Sequence, residues 1–154
     1  PLKGWLIGET AELTLFLLNA FDVPAASGGG SVITLYGHSV EIVLACTAIE
    51  SMALFAGVVL SVSAPRKRKA SALLVSVPVI YGLNLFRNIF VVVAYGEEWF
   101  GDESFYLAHN VIAKAGSAVA LFAIAYVVLI LLPELLDMID ELASDIRSGG
   151  GEPT

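Results

Sequence analysis

Three long apolar stretches, at about Val40 to Val62, Ser71 to Tyr95 and Leu107 to Leu132, leave this chain few ways to fold. Each is long enough for the roughly 20 residues that cross a bilayer as a helix. Inside hydrocarbon every backbone N–H and C=O must be satisfied within the spanning segment, which an α-helix does. The remaining residues do not dilute this signal, because 57% of the 154 residues are apolar and only 15% are charged. A mean hydropathy of +0.82 is far above that of a water-soluble domain. The predicted fold class is therefore all-α, an integral membrane helical bundle with three transmembrane helices. A fourth, shorter apolar segment at Trp5 to Phe21 carries Glu9 and Glu12, and is expected to be a tilted span or an interfacial helix.

The punctuation between these segments divides the chain into a membrane-embedded region, residues 1–132, and a tail, residues 133–154. Asp22 to Ser31 is a turn-rich stretch, and the β-branched run Val32 to Tyr36 is expected to be extended before Gly37 and His38. Pro65 closes the second apolar segment, Pro78 predicts a kink in the third, and Pro133 stops the fourth. The tail holds six acids and one Arg, with Leu135, Leu136, Ile139, Leu142 and Ile146 at helical spacing. It predicts an acidic amphipathic helix that frays at Gly149 to Gly151. The chain starts without Met or a leader pattern, so further sequence is expected upstream.

Orientation follows from the positive charges, which short loops retain on the cytoplasmic side. Arg66, Lys67, Arg68 and Lys69 form the one dense basic cluster and predict a cytoplasmic turn. Gly96 to Tyr106 carries Glu97, Glu98, Asp102 and Glu103 without a basic residue and predicts an external one, with Tyr95, Trp99, Phe100 and Tyr106 at the interface. The tail then lies in the cytoplasm of a multi-pass plasma-membrane protein. A formal charge of −7 excludes nucleic acid as a partner, since phosphate neutralisation needs a basic face.

With this orientation three chemically capable residues fall in the outer leaflet. Treating each segment as a helix, Cys46 lies roughly 9 Å below the outer boundary, Arg87 about 12 Å and His109 about 3 Å. Cys46 is the single cysteine, so neither an internal disulfide nor a multi-cysteine metal site is open to it. In isolation it reads as a small buried hydrophobe, Arg87 as half of a packing pair with Glu50 or Glu41, and His109 as a cap on the last span. Together they offer a nucleophile, a base and a cation for a developing oxyanion. Arg87 is the strongest signal, because a guanidinium within a span faces a protein interior or a watery cavity. Asn84, one turn earlier, shares its face and could bond to it or to a substrate. Glu50, four residues beyond Cys46, is expected to pair with Arg87 or orient the site. Ala113, Gly116, Ser117 and Ala120 recur on one side of the last span and predict close helix packing near His109.

At these residues the chain resembles the exosortase/archaeosortase family of membrane cysteine transpeptidases, and its archaeosortase side in particular. The resemblance is carried by LACTAIESMALFAG around Cys46, NLFRNIF with Asn84 and Arg87, and AHNVIAKAG with His109, in that order between matching spans. It covers roughly Gly30 to Leu132, the later part of a typical member, which has additional N-terminal spans. The acidic bias fits an archaeon from a salty habitat. The resemblance implies a substrate that is a secreted protein with a C-terminal sorting signal, made of a short motif, a transmembrane stretch and a basic end. It also implies cleavage through a Cys46 thioester and transfer of the new C-terminus to an acceptor such as a membrane lipid. His109 would be the general acid and base, and Arg87 would stabilise oxyanion or thiolate. Some archaeal branches differ in the third catalytic residue, which is the position His109 would fill. No cofactor or metal is implied.

Two other classes of function compete. His38 and His109 are both external and could ligate one haem, with Arg87 near a propionate. Alternatively the chain is a transporter or scaffold piece in which Arg87, Glu50 and Lys114 are pathway charges or buried pairs. Metalloprotease and serine-hydrolase readings lack their motifs, HExxH and Gly-x-Ser-x-Gly.

Overall fold

The computed structural model describes residues 2–148. Six helices, α1 Leu2–Ala20, α2 Ile49–Ser61, α3 Arg66–Gly96, α4 Ser104–Tyr106, α5 Ala113–Leu131 and α6 Pro133–Ser148, account for most of them. Two helical stretches, Arg66–Gly96 and Gly101–Leu131, are each 31 residues and apolar enough to cross a membrane. The second has only 11% of its most apolar stretch buried, and side chains such as Val119, Phe122, Tyr126 and Ile130 are more than 60% exposed. Outward apolar surface of this extent suits lipid rather than water.

The expected all-α class needs correction, because a three-stranded antiparallel sheet precedes the membrane helices. Its strands, β1 Ala26–Gly29, β2 Val32–Leu35 and β3 His38–Glu41, pair in the order β1-β2-β3. The extended run Val32 to Tyr36 is thus the central strand, and the turn-rich stretch before it contributes an edge. Between β2 and β3 only Tyr36 and Gly37 remain, at φ 50° and 88°. Positive φ at both positions is the backbone of a type I′ turn, whose twist matches the strands it joins. Ile33 and Leu35 of β2 are both 1% exposed, and Leu35 packs against Gly96 where α3 ends.

The second apolar segment also departs from expectation. It is not one span from Val40 to Val62. It begins in β3, passes through a 3-10 turn at Leu44–Thr47, and becomes α-helical only over the 13 residues of α2. Ala48 lies between turn and helix with φ 57° and ψ 10°, a left-handed conformation that breaks any continuous helix. The depth assigned to Cys46 from helical rise therefore does not hold. By contrast α3 runs unbroken through Pro78 and begins at Arg66. The last span starts with a π-helical segment at Leu107–Ile112 before α5.

Two buried cores result. One joins α1, the sheet, the Cys46 turn and α3 through Leu18, Ile33, Leu35, Ile42, Cys46 and Val92. The other joins α2, α3, α5 and the start of α6 through Val59, Ala72, Ile80, Val128 and Leu132. At this second end Arg68 Nη1 donates to Glu134 Oε1 at 2.7 Å, so the basic cluster and the tail share one end of the bundle. The sheet and the acidic connection meet at the opposite end, where His38 Nε2 lies 3.2 Å from Glu98 Oε1. The tail is helical to Ser148 as its spacing predicts, and the expected fraying at Gly149 to Gly151 lies outside the described residues.

Candidate functional site

Cys46 sits in the 3-10 turn, 7% exposed, and is held there through its backbone. Its carbonyl oxygen accepts from Nδ2 of both Asn84 and Asn88, the latter at 2.9 Å. These residues are four apart on α3 and so share one face. Both are more than 90% buried, and the pair of amides gives one carbonyl two donors in an apolar setting. The turn is thus pinned to α3 by two bonds that do not use the thiol. Asn84 was expected to meet Arg87 or a substrate, and its partner is instead the main chain of Cys46. Asn88 was not singled out from the sequence, although its place in NLFRNIF, i+4 from Asn84, was the available signal.

Beside this turn α2, α3 and α5 enclose a cavity of about 300 Å³. Ala45, next to Cys46, and Ala48, two residues beyond it, line the cavity, and Asn84, Arg87 and Ser51 bring polar groups to it. Ala113, Gly116, Ser117 and Ala120 form the α5 wall, so their small side chains make room for the cavity rather than only close packing. Leu83, Phe86 and Ile112 line it as well and are each at least 40% exposed, giving it a lateral, apolar mouth.

Arg87 projects into this space without an ion pair among the described residues, and its Nε is buried with no hydrogen-bond partner. The expected pairing with Glu50 is therefore absent. Glu50 is exposed, and the left-handed Ala48 between it and Cys46 removes the shared helical face on which the expectation rested. Among the described residues Lys114 is not in an ion pair either; its Nζ donates to Asn110 Oδ1 at 2.9 Å.

His109 lies in the π-helical segment, one turn before cavity residues Ile112 and Ala113. Single π turns inside helices shift side chains out of the α-helical register and frequently mark functional sites. Phe105 stacks flat on its ring, with centroids 5.3 Å apart and planes 8° apart. Arg87 and Lys114 are the cations within electrostatic reach of His109. No hydrogen bond joins His109 to the Cys46 thiol among the described residues. Phe105 is a second residue that composition alone did not mark. The structure does not support the haem reading: Tyr95 and Phe105 link His38 to His109 in a run of ring contacts, at 4.7, 5.2 and 5.3 Å.

The candidate site is thus a buried, pinned cysteine beside an arginine-bearing cavity among apolar helices. Comparison with known proteins gives the class its name. The model of the transmembrane exosortase family matches residues 1–131, and the chain belongs to that family. Archaeosortase A of Haloferax volcanii is 36% identical over 119 residues, covering 67% of this chain and 39% of the relative. Archaeosortase A of Natronomonas pharaonis is 33% identical over 126 residues, covering 70% and 40%. The chain thus spans about two fifths of the length of these curated relatives. No solved structure matches it.

Proposed function

We propose that this chain carries the catalytic centre of a membrane transpeptidase for C-terminal sorting signals, with Cys46 as nucleophile. The observation that supports this most is the cavity: it brings Arg87, with a buried and unpartnered Nε, to the turn that holds the single thiol. Membership of the exosortase family and the likeness to archaeosortases supply the substrate class.

In this reading the Cys46 thiolate attacks the scissile carbonyl carbon, and the Arg87 guanidinium stabilises the oxyanion that develops. Collapse forms a thioester and breaks the C–N bond, and His109 delivers a proton to the departing amine. An acceptor, proposed to be a membrane lipid bearing a nucleophilic amine, enters through the lateral mouth. It attacks the thioester, gives its proton to His109, and releases Cys46 as thiolate. The apolar walls exclude water, which favours transfer over hydrolysis. Substrate anchored in the same bilayer is presented at high effective concentration. The site faces outward, with the basic cluster and α6 in the cytoplasm.

The test is the processing of secreted proteins in the native cell with Cys46→Ala, Arg87→Ala and His109→Ala. Cys46→Ala is expected to accumulate precursor completely. Arg87→Ala should slow processing about 100-fold or more, the scale of losing an oxyanion donor. Normal processing by Cys46→Ala would refute the reading, and an effect of Arg87 alone would favour a structural charge instead.

A further inference from the structure

The sheet ends in a free edge that leads straight to Cys46. Ile42 N–H donates to Ser31 C=O at 2.8 Å, which extends the β2–β3 register by one pair. Antiparallel pairs alternate between bonded and non-bonded. Val40 with Ile33 and His38 with Leu35 are therefore the bonded pairs, as a two-residue turn between Leu35 and His38 requires. The N–H and C=O groups of Ser39 and Glu41 consequently point away from β2. No strand lies beyond β3 among the described residues, and Ser39 and Glu41 are both exposed. Four backbone groups are left open along two residues, without the proline, bulge or lysine that commonly protects such an edge. β1 is the bulged edge, by comparison, with its register shifting between Ser27 and Gly29.

We propose that the β3 edge at Ser39 and Glu41 binds the substrate as an added strand, holding the peptide extended beside the cleavage site. This rests on the transpeptidase reading and assigns the recognition that it leaves open. The occupant follows from the chemistry. A transpeptidase acts on a polypeptide, and an open edge recognises an extended polypeptide through its main chain. Cys46 follows Glu41 by five residues and packs in the same core as β2 and β3. Attack on a scissile carbonyl needs that bond free of helical hydrogen bonding and open to the nucleophile, so the cleaved segment is presented unwound. An unwound peptide leaves its own backbone groups unsatisfied, and the edge supplies partners for every second residue.

A peptide spanning the cleavage region of the precursor that accumulates with Cys46→Ala, methylated at one backbone nitrogen at a time, tests this in membranes containing the full protein. Methylation at alternate positions within roughly five residues of the cleaved bond is expected to raise KM about tenfold with little change in kcat, and the intervening positions to be silent. Ser39→Pro, which removes one outward donor and spares the β2 ladder, should raise KM similarly, and an unchanged KM would count against the edge. Uniform sensitivity, sensitivity at consecutive positions, or none would overturn the strand-addition proposal. Cleavage of the unmodified peptide by Cys46→Ala would overturn the nucleophile instead, and the methylation pattern would still decide the edge.

Discussion

At the scale of residues, the two amides on the Cys46 carbonyl form the least replaceable contact of the site. Asn84→Ala or Asn88→Ala leaves that carbonyl one donor, and the double variant leaves it none, at a cost of about 1–3 kcal/mol. The double variant should therefore loosen the turn, and alkylation of the buried Cys46 thiol by a maleimide should accelerate. An unchanged rate would mean that the amides do not hold the turn. Ala48 offers the opposite case. Its left-handed backbone costs about 1 kcal/mol that glycine would not incur, so Ala48→Gly should raise the melting temperature in detergent. The candidate residues themselves stood out in the sequence, because an Arg in an apolar span and a lone cysteine are conspicuous by type. Their partners did not. A helical projection places Asn84 beside Arg87, whereas the contact to Cys46 depends on how a distant turn folds onto α3. Glu50 misled for the same reason, since one left-handed residue rotated it out of the site.

Elements were legible where one periodicity ran uninterrupted. α3 and α5 follow from length and apolarity, and α6 from the spacing of Leu135 to Ile146. The segment from Val40 to Val62 failed that test because its apolar run is continuous while its backbone changes from strand to 3-10 turn to helix, and hydropathy does not register the change. The junction of sheet and α3 makes a prediction at this scale. A Cβ on Gly96 would stand 2.6–2.9 Å from the Cδ2, Cγ and Cβ atoms of Leu35. Gly96→Ala should displace β2 and destabilise the protein by about 1–3 kcal/mol. Thermal melting of the purified protein checks this, and a Leu35→Ala partner change should recover part of the loss.

For the whole molecule, the bundle has two chemically distinct ends, one basic cluster tied to α6 and one acidic connection against the sheet. Because Cys46 is buried and is the single cysteine of these 154 residues, cysteines introduced here report topology against the unsubstituted protein as background. Lys67→Cys and Asp137→Cys should label only after the membrane is permeabilised, and Asp102→Cys in intact cells. Labelling of Lys67→Cys and Asp137→Cys in intact cells, with Asp102→Cys labelled only after permeabilisation, would reverse the proposed orientation. The Arg68 to Glu134 ion pair is half-exposed and should contribute no more than about 1 kcal/mol, so Arg68→Gln should leave processing intact. The most direct test of the central claim is intact-mass analysis of the protein incubated with its precursor peptide without acceptor. The expected result is a covalent adduct on Cys46 equal to the peptide's N-terminal fragment, released by hydroxylamine and missing from Cys46→Ala. Turnover at the parental rate by Cys46→Ala, with no adduct on either protein, would contradict it.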